Sequence, residues 1–427
     1  MIVYTENTTP RLQYIVQTLF NNHVSFTNSK ESFIQSSQNK INYSANKITN
    51  NELWIKPHHL LFENDIQEQE IIIFDWKGFP VFFKTEGDIP FDFFAASFYL
   101  LTRYEEYLPH QKDMYGRYAH ENSIAFKNNF LHLPLINLWL QKICTLFSIT
   151  EYSDTKFSYQ PTYDIDIAYS IKHHGLLHNI ATIIKSFLQG KINIAQEKIL
   201  VLTNQKKDPF DVYDFLDALH QQYNLHPVYF FLLAKDRKGY DKNLSPSSNA
   251  MKQLIFHHVS KYANHIGIHP SWQSGNNNNL LQQEIQTLQN ITQQHILLSR
   301  QHYIRMSFPS TYRNLIQQNI KHDFSMGYGS INGFRASYTL PFLWFDIEKN
   351  KTTELTIHPF CYMEANSFFE QKFSALQAAE ELQNYFSVVK KVNGKLITIF
   401  HNHFITTQPE WAKWRKMYND FLQQNFL

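Results

Sequence analysis

The sequence has little cysteine, no excess of charge of one sign and no long apolar run. Only Cys144 and Cys361 occur in 427 residues, and Cys144 lies in a stretch with the apolar pattern of a helix. Two distant cysteines provide neither a disulfide framework nor a thiolate zinc site. Any bound metal must therefore be held by histidine and carboxylate side chains.

Charge and hydropathy exclude further classes of protein. Lys and Arg number 39 against 37 Asp and Glu, and no basic stripe occurs of the kind that follows a phosphate backbone, so we do not expect nucleic acid as a partner. No apolar run approaches the roughly 20 residues that span a bilayer. The N-terminus also lacks the charged start and apolar core of a secretory signal. We expect a cytoplasmic protein without a transmembrane segment, and nothing in the sequence identifies a protein partner.

The length predicts more than one domain, since 427 residues exceed the size at which one core usually stops growing. Residues 1–100 begin with a strand, a helix that starts at Pro10 and further short strand-like runs, which favours a smaller α+β domain of unknown role. Residues 101–156 are predicted to form a helical connector, with a helix that begins at Pro134.

After about residue 157, short β-rich runs alternate with amphipathic helices, which is typical of a parallel sheet wrapped by helices. About six or seven β segments in about 265 residues fit a closed barrel better than an open Rossmann sheet, and no G-x-G-x-x-G follows the first strand. We predict an α/β fold with an irregular (β/α) barrel over residues 157–427. The predicted strands include 157–167, 227–233, 265–269, 295–306 and 396–400.

Acids and imidazoles stand at the ends of predicted strands, where a barrel collects its working groups. Asp164 and Asp166 are two apart on one strand, so both carboxylates point to one face. Such a pair needs a cation or a shared proton to offset its repulsion, unless one aspartate only caps the next element. His269 and His401 each end an apolar strand, which favours a role as ligand, acid or base over a structural role.

Other charged residues allow two interpretations from the sequence. Arg335 and Asp323 could belong to the site or to an ion pair that holds a loop. A second charged group is interpreted as a surface or interdomain ion pair: Arg103, Glu105 and Glu106.

Five segments in chain order resemble the motifs of the polysaccharide deacetylases, the NodB-like carbohydrate esterases. They are T-Y-D-I-D at 162–166, H-P-S-W-Q at 269–273, R-Q-H at 300–302, an acid at Asp323 or Asp346, and T-I-F-H at 398–401. The chain is more closely similar to a Bacteroidetes-type subgroup that pairs an uncharacterised N-terminal domain with this barrel. The runs that carry this second likeness are 98–107, 208–211, 267–272, 299–305 and 333–335.

The resemblance implies a metal-dependent hydrolase that removes N-acetyl groups from an amino sugar or glycan. It implies Asp164 as the catalytic base and His401 as the acid that protonates the leaving amine. Motif order implies Arg300 as the residue that orients this base, with Arg305 and Arg335 as the alternatives. The implied substrate is a carbohydrate, and the residues expected to contact it are Trp272, Asp323 and Arg335.

The resemblance also implies a divalent metal held by Asp166 and His269. This chain departs from the family pattern, because its second aspartate stands two residues after the first and Gln273 replaces the second ligand histidine. We expect His302 to supply the missing ligand. One Asp and two His suit zinc or another divalent transition metal better than calcium.

Two other functions stay open at this point. Gln273 in a ligand position is consistent with a catalytically inactive protein that binds glycan or supports a glycan assembly complex. A hydrolase that cleaves a non-sugar C–N bond on the same barrel is the second alternative.

Overall fold

The structure of this protein is a computed structural model that describes residues 1–21, 23–150, 155–262 and 265–426. Over these residues the chain is a mixed α/β protein whose two larger sheets are built mainly from parallel strands. The predicted α/β class is confirmed at this level. None of the described helices has the length and apolar character needed to cross a membrane.

The N-terminal part contains a small, wholly parallel sheet. Its elements are β1 Ile2–Tyr4, α1 Pro10–Leu19, β2 Ser25–Thr27, α2 Lys30–Gln35, β3 Lys40–Tyr43, β4 Leu53–Ile55, β5 Phe74–Trp76, β6 Phe79–Val81, α3 Phe93–Leu101, α4 Ile124–Lys127 and α5 Leu135–Leu146. The sheet order is β2-β1-β3-β4, and β5 and β6 form a separate antiparallel pair. Helix α1 begins at Pro10 as predicted, because the Thr9 hydroxyl accepts a hydrogen bond from the Leu12 N–H at 3.1 Å. Residues 151–154 of the predicted connector lie outside the described residues.

The remaining elements alternate strand and helix in part, since three helices follow the first strand and four strands follow one another between His322 and Met363. They are β7 Ser158–Ile165, α6 Leu176–Leu188, α7 Ile192–Leu202, α8 Tyr213–Gln222, β8 Val228–Leu232, α9 Asn249–Lys261, β9 Ile266–His269, α10 Asn278–Thr292, β10 Leu298–Ser299, α11 Ser310–Gln317, β11 His322–Asp323, β12 Phe342–Asp346, β13 Lys351–Ile357, β14 Tyr362–Met363, α12 Ala375–Lys391, β15 Lys395–His401 and α13 Ala412–Phe426.

These strands form a nine-stranded sheet in the order β12-β13-β11-β10-β9-β8-β7-β15-β14. Every neighbouring pair is parallel except the antiparallel pair of β12 and β13. Strands β12 and β14 are the two edges, and within the described residues no recorded pairing joins them. The hydrogen-bonded ladder is therefore open, and closure into a barrel stays a prediction.

The predicted strand 295–306 is much shorter in the structure. Only Leu298 and Ser299 pair with β11, and the chain then turns through a 3₁₀ segment at His302–Ile304. Tyr303 has a φ of +59°, in the left-handed region that no strand residue occupies. Because the chain leaves the sheet here, His302 is placed over Pro270, whose carbonyl accepts the His302 N–H at 3.1 Å.

The N-terminal part and the large sheet share one hydrophobic core. Tyr14 of α1 contacts Phe345 of β12 with 4.8 Å between ring centroids, and its hydroxyl donates to the Leu343 carbonyl at 2.7 Å. The ring of Phe98 on α3 packs edge-on against Phe345 as well. Aromatic contacts of this kind help to hold the two parts together.

Candidate metal centre

Polar side chains from several strand ends converge on one cavity. Asp164 lies near the end of β7 directly opposite His401, the last residue of β15. His269 ends β9, and His302 lies in the turn after β10. Since these strands are parallel, their carboxyl ends meet at the same edge of the sheet. The structure thus brings together the residues that the sequence placed at strand ends.

Asp166, His269 and His302 form the most compact group of potential metal ligands. Oδ1 of Asp166 lies 3.2 Å from Nε2 of His269, and Oδ2 lies 3.6 Å from Nε2 of His302. One potential ligand atom from each residue falls within 4.8 Å of the other two. This is the separation expected of atoms that surround a single cation.

The surroundings of this group fit a metal ion. Oδ1 of Asp166 is buried and has no hydrogen-bond partner among the described residues. Nδ1 of His269 lies 2.5 Å from the Arg300 carbonyl oxygen, and Nδ1 of His302 lies 2.8 Å from Oδ1 of Asp241. When each Nδ1–H donates to its oxygen, each Nε2 presents a lone pair toward Asp166. A carboxylate and two imidazoles are the donor set of a catalytic zinc site or of a similar divalent metal.

The charges in this group depend on one another. Burial opposes the ionised form of Asp166, but His302 and His269 outweigh burial and hold the pKa of this carboxyl well below its usual range. Burial also opposes the charged form of His302, yet Asp166 and Asp241 raise its pKa to about 9. A cation bound here would displace those protons and replace their positive charge.

Arg300 fixes the orientation of Asp164. Its NH1 donates to Oδ1 of Asp164 at 2.8 Å and to Oγ1 of Thr162 at 2.7 Å, and its Nε donates to the Phe324 carbonyl at 3.0 Å. The guanidinium is buried, with its Cζ 4.5 Å from the centroid of the Phe230 ring. With one oxygen bound to Arg300, Asp164 presents the other oxygen toward His269, 3.8 Å away.

Glu364 holds His401 at the edge of the cavity, on the strand next to Asp164. Oε1 of Glu364 accepts from the His401 backbone N–H at 2.6 Å and lies 2.7 Å from its Nδ1. Nε2 of His401 lies 3.7 Å from Oδ2 of Asp166. Burial opposes the charge on this imidazole, but Glu364 and the aspartates raise the pKa of His401 to about 10.

Gln273 does not join the group of ligands. Its Nε2 donates to Oδ2 of Asp241 at 3.1 Å and to the Asp236 carbonyl at 2.8 Å. Asp241 also accepts the Trp272 N–H at 2.9 Å and contacts His302. The glutamine therefore helps to hold the carboxylate that orients His302.

The cavity in front of these residues has a volume of about 560 Å³. Its walls include Tyr115, Tyr240 and Tyr303, whose rings contact one another with centroids about 5 Å apart. A larger groove of about 1150 Å³ runs between α9 and α10, and its lining contains none of the predicted site residues. Of the two, only the smaller cavity is lined by the three tyrosines together with the acids and histidines of the predicted site.

The predicted substrate contacts lie outside the lining of this cavity. Arg335 is buried and forms an ion pair with Glu106, and Asp323 is buried and bound to Ser299 and Ser325. Trp272 contacts Tyr240, which does line the cavity. Of the two interpretations that the sequence left open for Arg335, the structure supports an ion pair that holds a loop.

Sequence reasoning did not find Asp241, Glu364 or His403. Glu364 directly follows β14, so the rule that strand ends carry site residues would have found it had this two-residue strand been recognised. His403 lines the cavity, and burial beside His401 lowers its pKa to about 3. Asp241 lies in a loop without any distinguishing pattern.

Comparisons with known proteins each match part of the chain. The model of a family of unknown function, DUF7033, matches residues 1–151, and no curated protein matches. Among solved structures, a protein from Mycobacterium smegmatis described as a polysaccharide deacetylase is 11% identical, with 64% of this chain and 86% of that chain covered and a TM-score of 0.39. A polysaccharide deacetylase from Bacillus cereus is 10% identical, with 63% and 88% covered and a TM-score of 0.30.

Proposed function

We propose that this protein is a metal-dependent hydrolase that removes N-acetyl groups from an amino sugar or glycan. The observation that carries the proposal is the meeting of Asp166, His269 and His302 at one point, between Asp164 and His401. The order of the five motifs along the chain supports the same reading. We further propose the division into residues 1–100, a connector over 101–156 and a deacetylase-type barrel over 157–427.

The residues around the metal position have separate tasks in this proposal. A divalent cation held by Asp166, His269 and His302 would supply Lewis-acid activation of water and of the amide carbonyl. Asp164 accepts the proton of the attacking water. Arg300 holds this carboxylate in the correct orientation, since its guanidinium donates to Oδ1.

His401 supplies the proton for the leaving amine. Its high pKa means that the imidazole is protonated at neutral pH, as a general acid must be. Glu364 stabilises this imidazolium and fixes Nδ1, so that Nε2 is the nitrogen that faces the cavity. Asp164 and His401 are register partners on the neighbouring strands β7 and β15, so the base and the acid face the same cavity.

The cavity wall suits a sugar ring. Tyr115, Tyr240 and Tyr303 offer aromatic faces on which the apolar C–H face of a pyranose can pack. Trp272 supports this wall from behind through Tyr240. Trp272 would therefore affect substrate binding through its contact with Tyr240 and not by touching the sugar itself.

The first test is metal content. We expect the purified protein, dialysed against zinc, cobalt or manganese and freed of excess metal, to retain one equivalent of at least one of these metals. Asp166→Asn and His302→Gln should each reduce the retained metal strongly, whereas His295→Gln, at an exposed histidine, should not. Full metal retention by Asp166→Asn would contradict the proposed site.

The second test is product analysis on N-acetylated amino-sugar oligomers. We expect acetate release by the metal-loaded protein, and loss of this release in Asp164→Asn with metal content unchanged. Release of ammonia from other amides without acetate would favour a non-sugar C–N hydrolase. Sugar binding without turnover and without metal would favour an inactive glycan-binding protein, the alternative that Gln273 supports.

A further inference from the structure

The hairpin formed by α6 and α7 turns apolar side chains outward. Leu177 and Leu188 are 85% and 83% exposed. The buried positions of α6 are instead the polar residues Asn179 and Ser186. The outward apolar positions of this helix are Leu176, Leu177, Ile180, Ile184, Phe187 and Leu188.

The spacing of these positions shows that they form one continuous face. Ile180, Ile184 and Leu188 are four residues apart, and Phe187 lies between the last two on the same side. A helix of a soluble domain normally buries its apolar stripe, but here the stripe is left uncovered. Exposed apolar patches that are bordered by polar residues mark interaction surfaces.

The hairpin carries more lysines than acids. Between positions 172 and 207 the chain has six lysines and a single acidic residue, Glu197. Lys206 pairs with Glu197, and Lys207 pairs with Asp211 and Asp214 just beyond the hairpin. Lys185 and Lys191 are exposed on the hairpin, and no ion pair is recorded for either within the described ranges. An apolar face flanked by lysines matches an anionic lipid surface, where acyl chains lie beneath negative headgroups.

The base of the hairpin is fixed to the sheet by Asp208. Its carboxylate accepts the backbone N–H groups of Ser170, Ile171 and Lys172 at 2.8 to 2.9 Å, and that of Phe210 at 3.0 Å. Both ends of the hairpin are therefore held at one point, just beyond the strand that carries Asp164. A surface that binds the hairpin therefore also holds the body of the protein.

We propose that the α6–α7 hairpin docks this protein in the plane of an anionic phospholipid surface. The apolar face of α6 enters the boundary between headgroups and acyl chains, and Lys185 and Lys191 contact the phosphates. This binding is independent of the proposed hydrolase activity, since it uses none of the residues around the cavity.

The test is flotation of the full-length protein with vesicles of phosphatidylcholine alone and of phosphatidylcholine mixed with phosphatidylglycerol. We expect binding to the anionic vesicles that weakens as salt is added. The triple variant Leu177→Asp, Ile184→Asp and Leu188→Asp should bind at least about tenfold more weakly, because each change removes an inserted apolar side chain and adds a repelled charge. Lys185→Gln with Lys191→Gln should weaken binding to anionic vesicles only.

The matched control carries the same three charges on exposed apolar positions elsewhere: Ile72→Asp, Met114→Asp and Leu376→Asp. It should bind like the wild type, and far-ultraviolet circular dichroism should show both triple variants folded. Equal loss of binding in the control, or no binding of the wild type to either vesicle, overturns the proposal. A wild-type dimer in light scattering that the hairpin variant abolishes, without any vesicle binding, would assign the face to a second copy of the chain and also overturn it.

Discussion

At the scale of single residues, the position of His401 between carboxylates determines its charge. Replacement of Glu364 by Gln removes the charge beside Nδ1 but retains an amide oxygen that can accept its proton. We expect the pKa of His401 to fall from about 10 toward its usual value, by about one unit or more. The measurement is an NMR titration of histidine ring signals in protein freed of metal by a chelator.

His302 is the internal control for this titration, because its partner Asp241 is unchanged in Glu364→Gln. Its pKa should stay near 9 in the variant. A fall of both histidines together would indicate a general loosening of the cavity, and an unchanged His401 would show that Glu364 does not stabilise the imidazolium.

The buried His258 should make the stability of the folded protein depend on pH. It is buried in α9 beside Tyr229, with no hydrogen bond recorded for either ring nitrogen among the described residues, and burial lowers its pKa to about 4. Below pH 6.5 the unfolded chain takes up a proton here that the folded protein does not, so stability is lost as the pH falls from 6.5 toward about 4.

The variant His258→Phe removes this proton uptake while it keeps a ring of similar shape. In urea unfolding between about pH 7.5 and about pH 5.5, the wild type should lose about 1.4 kcal/mol more stability than the variant. Parallel pH profiles of the two proteins would show that His258 does not contribute in this way.

The rule that site residues stand at strand ends identified those residues of the candidate site that follow a recognisable strand. Asp164, His269 and His401 follow apolar β runs, so their positions could be read from the sequence. Asp241 could not, because it reaches His302 from a loop whose path depends on the tertiary structure. Arg335 looked equally suited to the site, and only its buried contact with Glu106 reveals another role.

At the scale of elements, Asp208 is predicted to be the main support of the hairpin base. Asp208→Ala would leave four backbone N–H groups without their acceptor, at a cost of about 2–4 kcal/mol in the free energy of unfolding. Urea unfolding measures this loss. Asp208→Asn keeps one acceptor oxygen, so its free energy of unfolding should lie between those of Asp208→Ala and the wild type.

Asp211→Ala is the matched control for this change. Asp211 is a half-buried acid three residues away that lies 3.5 Å from Lys207, and its removal should cost less than about 1 kcal/mol. Equal destabilisation by the two alanine variants would argue against a special role of the Asp208 carboxylate.

Helices were easier to predict than short strands. Helix α1 begins at Pro10 as predicted, and its buried apolar residues recur at helical spacing over the whole element. Strands β10, β11 and β14 have two residues each, too few for an alternating pattern to be recognised. The predicted strand 295–306 was too long for a related reason, since apolar composition alone does not show where pairing ends.

At the scale of the whole molecule, a buried ion pair joins the N-terminal part to the large sheet. Glu106 accepts from Arg335 Nε and from Arg103 Nε, both at 2.8 Å, and burial of all three side chains is nearly complete. Glu106→Gln would leave the buried guanidinium of Arg335 without its counter-charge and that of Arg103 with Glu105 alone. We expect a loss of about 3–5 kcal/mol in the free energy of unfolding, measured by urea denaturation.

An exposed ion pair provides the control for Glu106→Gln. Asp420→Asn breaks the pair between Asp420 and Lys416 on α13, where both side chains are exposed, and the loss should be below about 1 kcal/mol. Similar losses in the two variants would show that the buried pair does not hold the parts together.

The sequence predicted a surface or interdomain ion pair at Arg103, Glu105 and Glu106. The ion pair is present, but all three side chains are buried and not on the surface. Glu106 also pairs with Arg335, which is more than 200 positions away in the sequence. No local sequence pattern indicates this contact. The parallel sheet followed from the alternation of strands and helices. Closure of that sheet depends on the approach of β12 and β14, which neither element's own residues determine.

The hairpin base has a consequence for how this fold can change over evolution. Because the chain enters and leaves the hairpin beside Asp208, the register of β7 does not depend on what lies between residues 173 and 207. Such an insertion can be lengthened, exchanged or deleted while the positions of Asp164 and its neighbours stay in place. The surface that the insertion presents and the geometry of the cavity can therefore be selected separately.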